Sequence, residues 1–335
     1  MTTAAAHDLV ATAKGIFKAR FGFAPASAAA APGRINLIGE QIDFLGATVL
    51  PVAINRWVAI ALAPAQTWAL ESDTTGGLRM LQALCAELGV GPQSAAAVAN
   101  LPVGAGLSSS AAFLIAASAA LGSRQTAREA ALGAQRAEQS ARGVLCGVMD
   151  HYAAAAGRRG YAMLLDCDRV DHVYVQIPPT AVMAVVDSGI RRELSATPYN
   201  QRRQEVIDGV REAGLSIRAI PEGHGNPRLR HVAGEIGRVS AMIEALEAAD
   251  LVWAGRLIRE SHASLRDNYQ CSLPPIDDLV ARADSVPGCY GSRIMGGGFG
   301  GSVLALLARG EEPAFLSVFP DAEILESASG AFVHS

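Results

Sequence analysis

The sequence predicts an α+β protein, in which helices and strands are mixed without the strict βαβ rhythm of a doubly wound sheet. Three observations carry that reading. Runs rich in β-branched residues, such as ATVLPVAINRWVAIALA (47–63), VYVQIP and AVMAVVDS, occur in both halves of the chain. Alanine-rich segments with apolar residues at helical spacing lie between them. Of 335 residues, 50% are hydrophobic and 18% charged, enough to build a substantial core and too apolar for a disordered chain.

Taken in order, residues 6–21 carry Leu9, Ala13, Ile16 and Phe17 on one helical face. Residues 47–63 read as strand, with a turn-like break at Asn55–Arg56, and 68–81 as a further strand pair joined through Asp73–Gly77. LPVGAGLSSSAAFLIAASAAL is a glycine-rich loop running into an apolar helix, and 126–142 is a second helix with Glu129, Arg136 and Glu138 among alanines. From about residue 160 the texture changes to the strands YAMLLDC, VYVQIP and AVMAVVDS, with Pro178–Pro179 as a seam. Two domains are therefore expected, 1–177 and 178–335. In the second, 227–249 and 251–267 read as helices, and SRIMGGGFGGSVLALLA (292–308) as a glycine loop entering an apolar strand.

The net charge of −4 provides no basic stripe for nucleic acid. Lys14 and Lys18 are the only lysines, so nearly all positive charge is arginine. Asp8 and Lys14 interrupt the apolar region a signal peptide would need, and the longest apolar run, near 111–121, falls short of the ~20 residues of a membrane span. Five scattered cysteines form neither a disulfide framework nor a zinc motif. A cytoplasmic protein is expected, with no membrane or nucleic-acid partner.

Two stretches are hard to explain as scaffold. PGRINLIGEQIDFLGATVLPVAI (32–54) places Arg34, Asn36, Glu40, Gln41 and Asp43 among Ile35, Leu37, Ile38 and Leu50. A core strand avoids unpaired charge, and a solvated loop has no use for those apolar flanks. PVGAGLSSSAA (102–112) combines two glycines and three serines ahead of a helix, more than a single serine N-cap requires. Small residues let backbone N–H groups approach a phosphate, and a helix N-terminus adds favourable partial charge. No GK[ST] follows, so it is not a Walker A loop, and its spacing is not GxGxxG. A second glycine cluster, MGGGFGGS (295–302), suits a backbone that passes very close to something or adopts positive φ.

These segments together resemble the galactokinase subgroup of the GHMP kinase superfamily. GRINLIGEQIDFLGATVLP is similar to that family's signature GRxNLIGEHxDYxxGxVLP, PVGAGLSSSAA to its phosphate motif, and SRIMGGGFGGS to its C-terminal glycine motif. CGVMD (146–150) resembles the CGIMD that carries the family's catalytic aspartate, and TPYNQRR and SHASLRDNY also match, in the same order from about residue 30 to 308. The resemblance implies a two-domain fold, with a ribosomal S5 domain 2-like N-terminal domain, a ferredoxin-like C-terminal domain and an active site between them. It implies ATP-dependent phosphorylation of an anomeric hydroxyl, with a sugar and ATP as small-molecule partners, Mg²⁺ as cofactor, and a monomer. Asp150 takes the catalytic position, with Arg34 beside it. Glu40, Gln41, Asp43, Gly147 and Tyr199 fall at the sugar, the amides of Gly104, Ala105, Gly106, Leu107, Ser108, Ser109 and Ser110 at the triphosphate, and Ser110 and Glu138 at Mg²⁺. Arg34 would favour the ionised form of Asp150, since a nearby cation stabilises a carboxylate.

The chain departs from the family at Gln41, where histidine is usual, at Phe44 for tyrosine, and at His151 for glutamine, which is read as structural. It is also shorter between 71 and 100, so no adenine-contacting residue is named. Asn268 and Gln270 stand for acids and are read as packing, and three of the four arginines in 191–205 as a solvated face. Galactose is the expected substrate. Another aldose (an arabinose, an N-acetylhexosamine or a uronic acid) and a catalytically silent sensor are the alternatives; the Glu40 carboxylate would repel a uronate and so favours a neutral hexose.

Overall fold

A computed structural model describes residues 2–72, 74, 76–101, 106–122, 125–191 and 198–334. The first half runs α1 (Thr2–Phe21), β1 (Ser27–Asn36), β2 (Thr48–Val49), β3 (Pro51–Pro64), β4 (Ala69–Glu71), α2 (Gly77–Glu87), β5 (Gln93–Ala99), α3 (Ser109–Ala120), α4 (Ala127–Arg142), α5 (Met149–Ala156), β6 (Tyr161–Asp166) and β7 (Asp171–Gln176). The second runs β8 (Ala181–Asp187), α6 (Tyr199–Ala213), α7 (Pro227–Glu247), α8 (Leu251–Ser264), a π-helical turn (Leu265–Tyr269), α9 (Pro274–Asp284), β9 (Cys289–Ile294), β10 (Ser302–Ala308), α10 (Glu312–Val318), β11 (Glu323–Leu325) and β12 (Phe332–Val333).

Strand order in the first sheet is β12-β1-β3-β5-β4, so the end of the chain returns to pair with β1, Ala30 opposite Phe332. Alternation along β1 divides its side chains between two layers. Ala28 and Ala30 face α1, whose Ala6, Val10, Ala13 and Phe17 form a buried stripe, while Ala29 and Ala31 join the main core on the opposite face. Helix α3 packs there against β1 and β3, and the run Ala111–Ala117 is buried throughout, which is why its sequence lacks a polar face. In the second half the sheet order is β11-β8-β10-β9. Val182, Ala184 and Val186 of β8 meet Phe315 and Phe319, and Ala181, Met183 and Val185 turn to the main core.

Most expected elements form, with three corrections. The strand pair expected over 68–81 is β4 followed by helix α2, because Gly77, Met80, Leu81, Leu84 and Cys85 bury one helical stripe. Asn55–Arg56 does not break β3. Instead the Asn55 N–H donates to the Glu326 carbonyl at 2.9 Å, the Glu326 N–H to Asn55 Oδ1 at 3.1 Å, and Arg56 pairs with Glu323 at 2.5 Å. The helix expected over 251–267 leaves α geometry at Ser264 and continues as the π turn. Helix α4 starts where Thr126 and Glu129 form a reciprocal capping box, a feature worth about 1 kcal/mol. Asp73, expected in the turn, lies outside the described residues.

Candidate active site

The N-terminus of α3, the β1 end and the first turn of α5 converge on one group of side chains. β1 is irregular between Pro32 and Arg34, and the buried Arg34 guanidinium reaches Asp150. Its Nε donates to Asp150 Oδ1 at 2.8 Å, a second nitrogen lies 2.7 Å from the same oxygen, and a third donates to the Gly106 carbonyl at 2.7 Å. The Leu107 carbonyl accepts from the Arg34 N–H at 3.1 Å. Ser108 donates its hydroxyl to Asp150 Oδ2 at 2.7 Å instead of capping α3, and holds φ at +62°. A non-glycine residue pays of order 1–2 kcal/mol for that conformation, a strain that marks sites where geometry matters. Two residues on, Ser110 donates to Glu138 Oε1 at 2.5 Å. Glu138 also meets His151 Nε2 at 2.9 Å and Arg142 at 3.3 Å. Burial pushes the Glu138 carboxyl up, but His151, Ser110 and Arg142 outweigh it and hold it down at about 2.

The sugar-segment candidates lie against the second half of the chain. Glu40 Oε1 accepts from Arg293 at 3.1 Å and from the Gly296 N–H at 3.0 Å. Arg293 is fully buried and also donates to the carbonyls of Ile294 and Asn36. Gln41, at φ +64°, donates to the Gly296 carbonyl at 2.9 Å and accepts from the Tyr269 hydroxyl at 3.2 Å. From α7, Glu235 Oε1 accepts the N–H groups of Gly39 and Glu40 at 3.0 and 3.1 Å and the Ser261 hydroxyl at 2.8 Å. His231 Nε2 lies 3.0 Å from the Glu40 carbonyl, which can only accept, so Nε2 carries the proton and Nδ1 faces the Ser264 hydroxyl at 3.0 Å. Burial raises the Glu235 carboxyl, yet Arg238, His231, Arg293 and Ser261 together hold it at about 2.

Asp43 completes the group. Its Oδ1 pairs with Arg203 of α6 at 3.2 Å, and Arg203 also donates to the Leu145 carbonyl. The Arg203 guanidinium lies 4.3 Å from the Phe44 ring centre and 4.6 Å from that of Tyr199. A Cβ at Gly147 would fall 1.9 Å from Asp43 Oδ2, so only glycine fits beside that carboxylate. Burial raises the Asp43 carboxyl, with Arg203 opposing and Asp150 and Glu40 adding to the rise. Burial likewise raises the Tyr199 phenol, which keeps its O–H.

The structure thus brings Arg34, Asp150, Ser108, Ser110 and Glu138 together, and Glu40, Gln41, Asp43, Gly147 and Tyr199 beside them. Leu107 and Ser109 sit at the start of α3; Gly104 and Ala105 lie outside the described residues. Asn268 and Gln270 accept from Arg230 and Arg228, and the turn from Gly296 to Gly301 passes close enough that a Cβ at Gly298 would meet Cys271 at 2.5 Å. Four residues escaped the sequence reading: Arg203, His231, Glu235 and Arg293. Of the four arginines in 191–205, Arg191 is exposed, Arg202 half-buried and Arg203 buried, and Arg192 lies outside the described residues. The signal was present: Tyr199, Arg203 and Val206 share a helical stripe, and Glu235 stands between Val232 and Val239 on the buried face of α7. Every carboxylate here has its own guanidinium: Asp150 with Arg34, Asp43 with Arg203, Glu40 with Arg293, Glu235 with Arg238. The expectation that Glu40 repels a uronate therefore fails as an argument, because Arg293 compensates that charge.

A buried arginine paired with a half-buried aspartate at a serine-bearing helix N-terminus, on two linked α+β halves, is consistent with the GHMP class of small-molecule kinases, and the family models agree. The N-terminal and C-terminal GHMP kinase domains match residues 77–158 and 242–318, and the galactokinase galactose-binding signature matches 16–64. The galactokinase of Roseiflexus sp. (strain RS-1) is 37% identical, covering 89% of this chain and 88% of that protein, and the Homo sapiens galactokinase is 32% identical, covering 91% and 90%. Among solved structures, Lactococcus lactis galactokinase complexed with galactose superposes with a TM-score of 0.84 at 22% identity, covering 95% and 98% of the two chains. L. major mevalonate kinase in complex with R-mevalonate follows the same fold at 0.69 and 17% identity, covering 91% and 98%. The chain belongs to the galactokinase family.

Proposed function

We propose that this protein transfers the γ-phosphoryl group of ATP to the anomeric hydroxyl of galactose, giving galactose 1-phosphate and ADP in the cytoplasm. The contact chain Arg34–Asp150–Ser108 at the N-terminus of α3 carries the reading, because it sets a proton acceptor and a fixed cation beside a phosphate-binding helix end. Phosphoryl transfer depends mostly on positioning and charge neutralisation. Asp150 accepts the C1 hydroxyl proton as that oxygen bonds to the γ-phosphorus and the bond from phosphorus to the β–γ bridging oxygen breaks. Arg34 holds the Asp150 carboxylate at one orientation and opposes the charge that develops. Ser108 and the first amides of α3 face the phosphates, and Glu40, Asp43, Gly147 and Tyr199 orient the sugar.

Ser110 and Glu138 offer hard oxygen donors 2.5 Å apart, the latter held as an anion. Among the described residues no group of three His, Cys, Asp or Glu could hold a metal ion, and Ser110 and Glu138 are the side chains that would hold Mg²⁺. Mg²⁺ bound there would neutralise phosphate charge. No helix among the described residues is long and apolar enough to cross a membrane.

The test is ADP release with Mg·ATP against galactose, arabinose, an N-acetylhexosamine and a uronate. Turnover on galactose is expected. Turnover only on a uronate or a pentose overturns the substrate, and sugar binding without any turnover overturns the activity.

A further inference from the structure

Arg203, on α6, ties its own helix to two segments distant from it in sequence. It donates to Asp43 Oδ1 at 3.2 Å in the segment after β1, lies 4.3 Å from Phe44 of that segment, and lies 4.6 Å from Tyr199 one turn back on α6. It also donates to the carbonyl of Leu145, two residues before the Gly147 that abuts Asp43 and five before Asp150. The guanidinium is almost wholly buried, its side chain 5% exposed. A planar cation can stack on ring faces while its edge donates to oxygen, and lysine cannot reproduce that fork.

We propose that Arg203 is the positioning residue of the sugar site, holding Asp43, Phe44, Tyr199 and the Leu145 carbonyl in one arrangement and keeping Asp43 an acceptor. This rests on the sugar-kinase reading above only in taking Asp43 as a sugar contact. The charge argument is local. The ionisable groups that act on or beside Asp43 are Arg203 and Tyr199 from α6, Asp150 from α5, Glu40 of its own segment, Cys146, Cys167, and Tyr269 of the π turn. Among the influences on Asp43, burial, Asp150 and Glu40 favour its neutral form, and Arg203 is the side chain that opposes them. A neutral carboxyl would donate a proton where the sugar hydroxyl needs an acceptor. The substitution Phe44 for tyrosine has a place in the same account, since its ring face covers the guanidinium.

The first readout uses no sugar: the ¹³Cγ signal of Asp43, assigned with Asp43→Asn, is followed against pH in the full chain and in Arg203→Met. Its titration midpoint moves up by about one to three pH units, the influence of a cation at hydrogen-bond distance. The second is galactose affinity by calorimetry. In Arg203→Met the Kd at pH 7 rises about tenfold or more, and the rise steepens as pH falls; in Arg203→Lys the pH profile stays near that of the parent while Kd still rises. Superimposable Asp43 titrations in Arg203→Met and the parent overturn the proposal. If Arg203→Met does not fold, a galactose Kd in Arg203→Lys equal to the parent's overturns it instead. A parent that binds no galactose but shows the Asp43 shift overturns the sugar assignment alone.

Discussion

The proposed phosphate side and the proposed sugar side of this site are built from similar residues to opposite ends. On the first, the Asp150 side chain is 29% exposed and Ser108, Ser109 and Ser110 are half-buried. On the second, Glu40, Gln41 and Asp43 are 2%, 4% and 8% exposed, and each is tied to the second half of the chain by Arg293, Gly296, Tyr269 or Arg203. The proposed phosphate side is the more exposed of the two; the proposed sugar side is also a seam that fastens two halves together. The polar groups of that apolar segment therefore have partners across the junction, whatever they do for a ligand.

That contrast can be broken by mutation, starting where the effect is largest. Asp150→Asn should lower kcat by about a thousandfold, within the range of a lost proton acceptor, while galactose affinity measured by calorimetry stays within a few-fold. A variant that retains most of its turnover shows that proton acceptance at 150 is not needed. Glu235→Gln, on the seam, should instead cost about 3 kcal/mol of unfolding free energy in urea, because it breaks a buried ion pair and weakens its hold on two backbone amides. The acid behaviour distinguishes it further. Glu235 is held at about 2 against an ordinary 4.5, so it stabilises the fold above 4.5 and loses that contribution as pH falls towards 2. The parent should therefore lose more stability than Glu235→Gln between those values, and parallel acid curves would remove Glu235 from the account. The smallest effect belongs to Gln41. Both ends of its amide are taken by protein groups, so Gln41→Ala should cost about 1–2 kcal/mol of stability and leave the order of sugar preference unchanged. A reordered sugar panel would show that Gln41 reads the substrate.

The same contrast marks what could be seen in the sequence. Arg34, Ser110 and Asp150 stand in short contiguous motifs, and the structure gathers them with Glu138 around the start of α3. Helices α1, α3 and α4 were legible because their apolar spacing, or an unbroken apolar run, is local. The partners on the seam were not. Arg293 lies on a strand and meets Glu40 across 253 positions of sequence, and Glu235 meets the Gly39 amide across 196. A charge on a buried stripe is the only local trace such a residue leaves, and Arg203 and Glu235 carry it. The error at 68–81 has a different cause: the turn-forming residues of Asp73–Gly77 suggest a strand pair, while the helical spacing of Met80, Leu81 and Leu84 is already there.

The Glu235 clamp on the Gly39 and Glu40 amides, with His231 on the Glu40 carbonyl, ties the history of this pocket to a distant stretch of chain. Residues 39–41 cannot drift toward a new sugar by themselves, since their backbone is gripped from α7 and their side chains from the β9–β10 turn. Descendants with altered substrate choice should carry paired replacements, one near 40 and another near 231, 235 or 293, and laboratory selections confined to the first segment should stall.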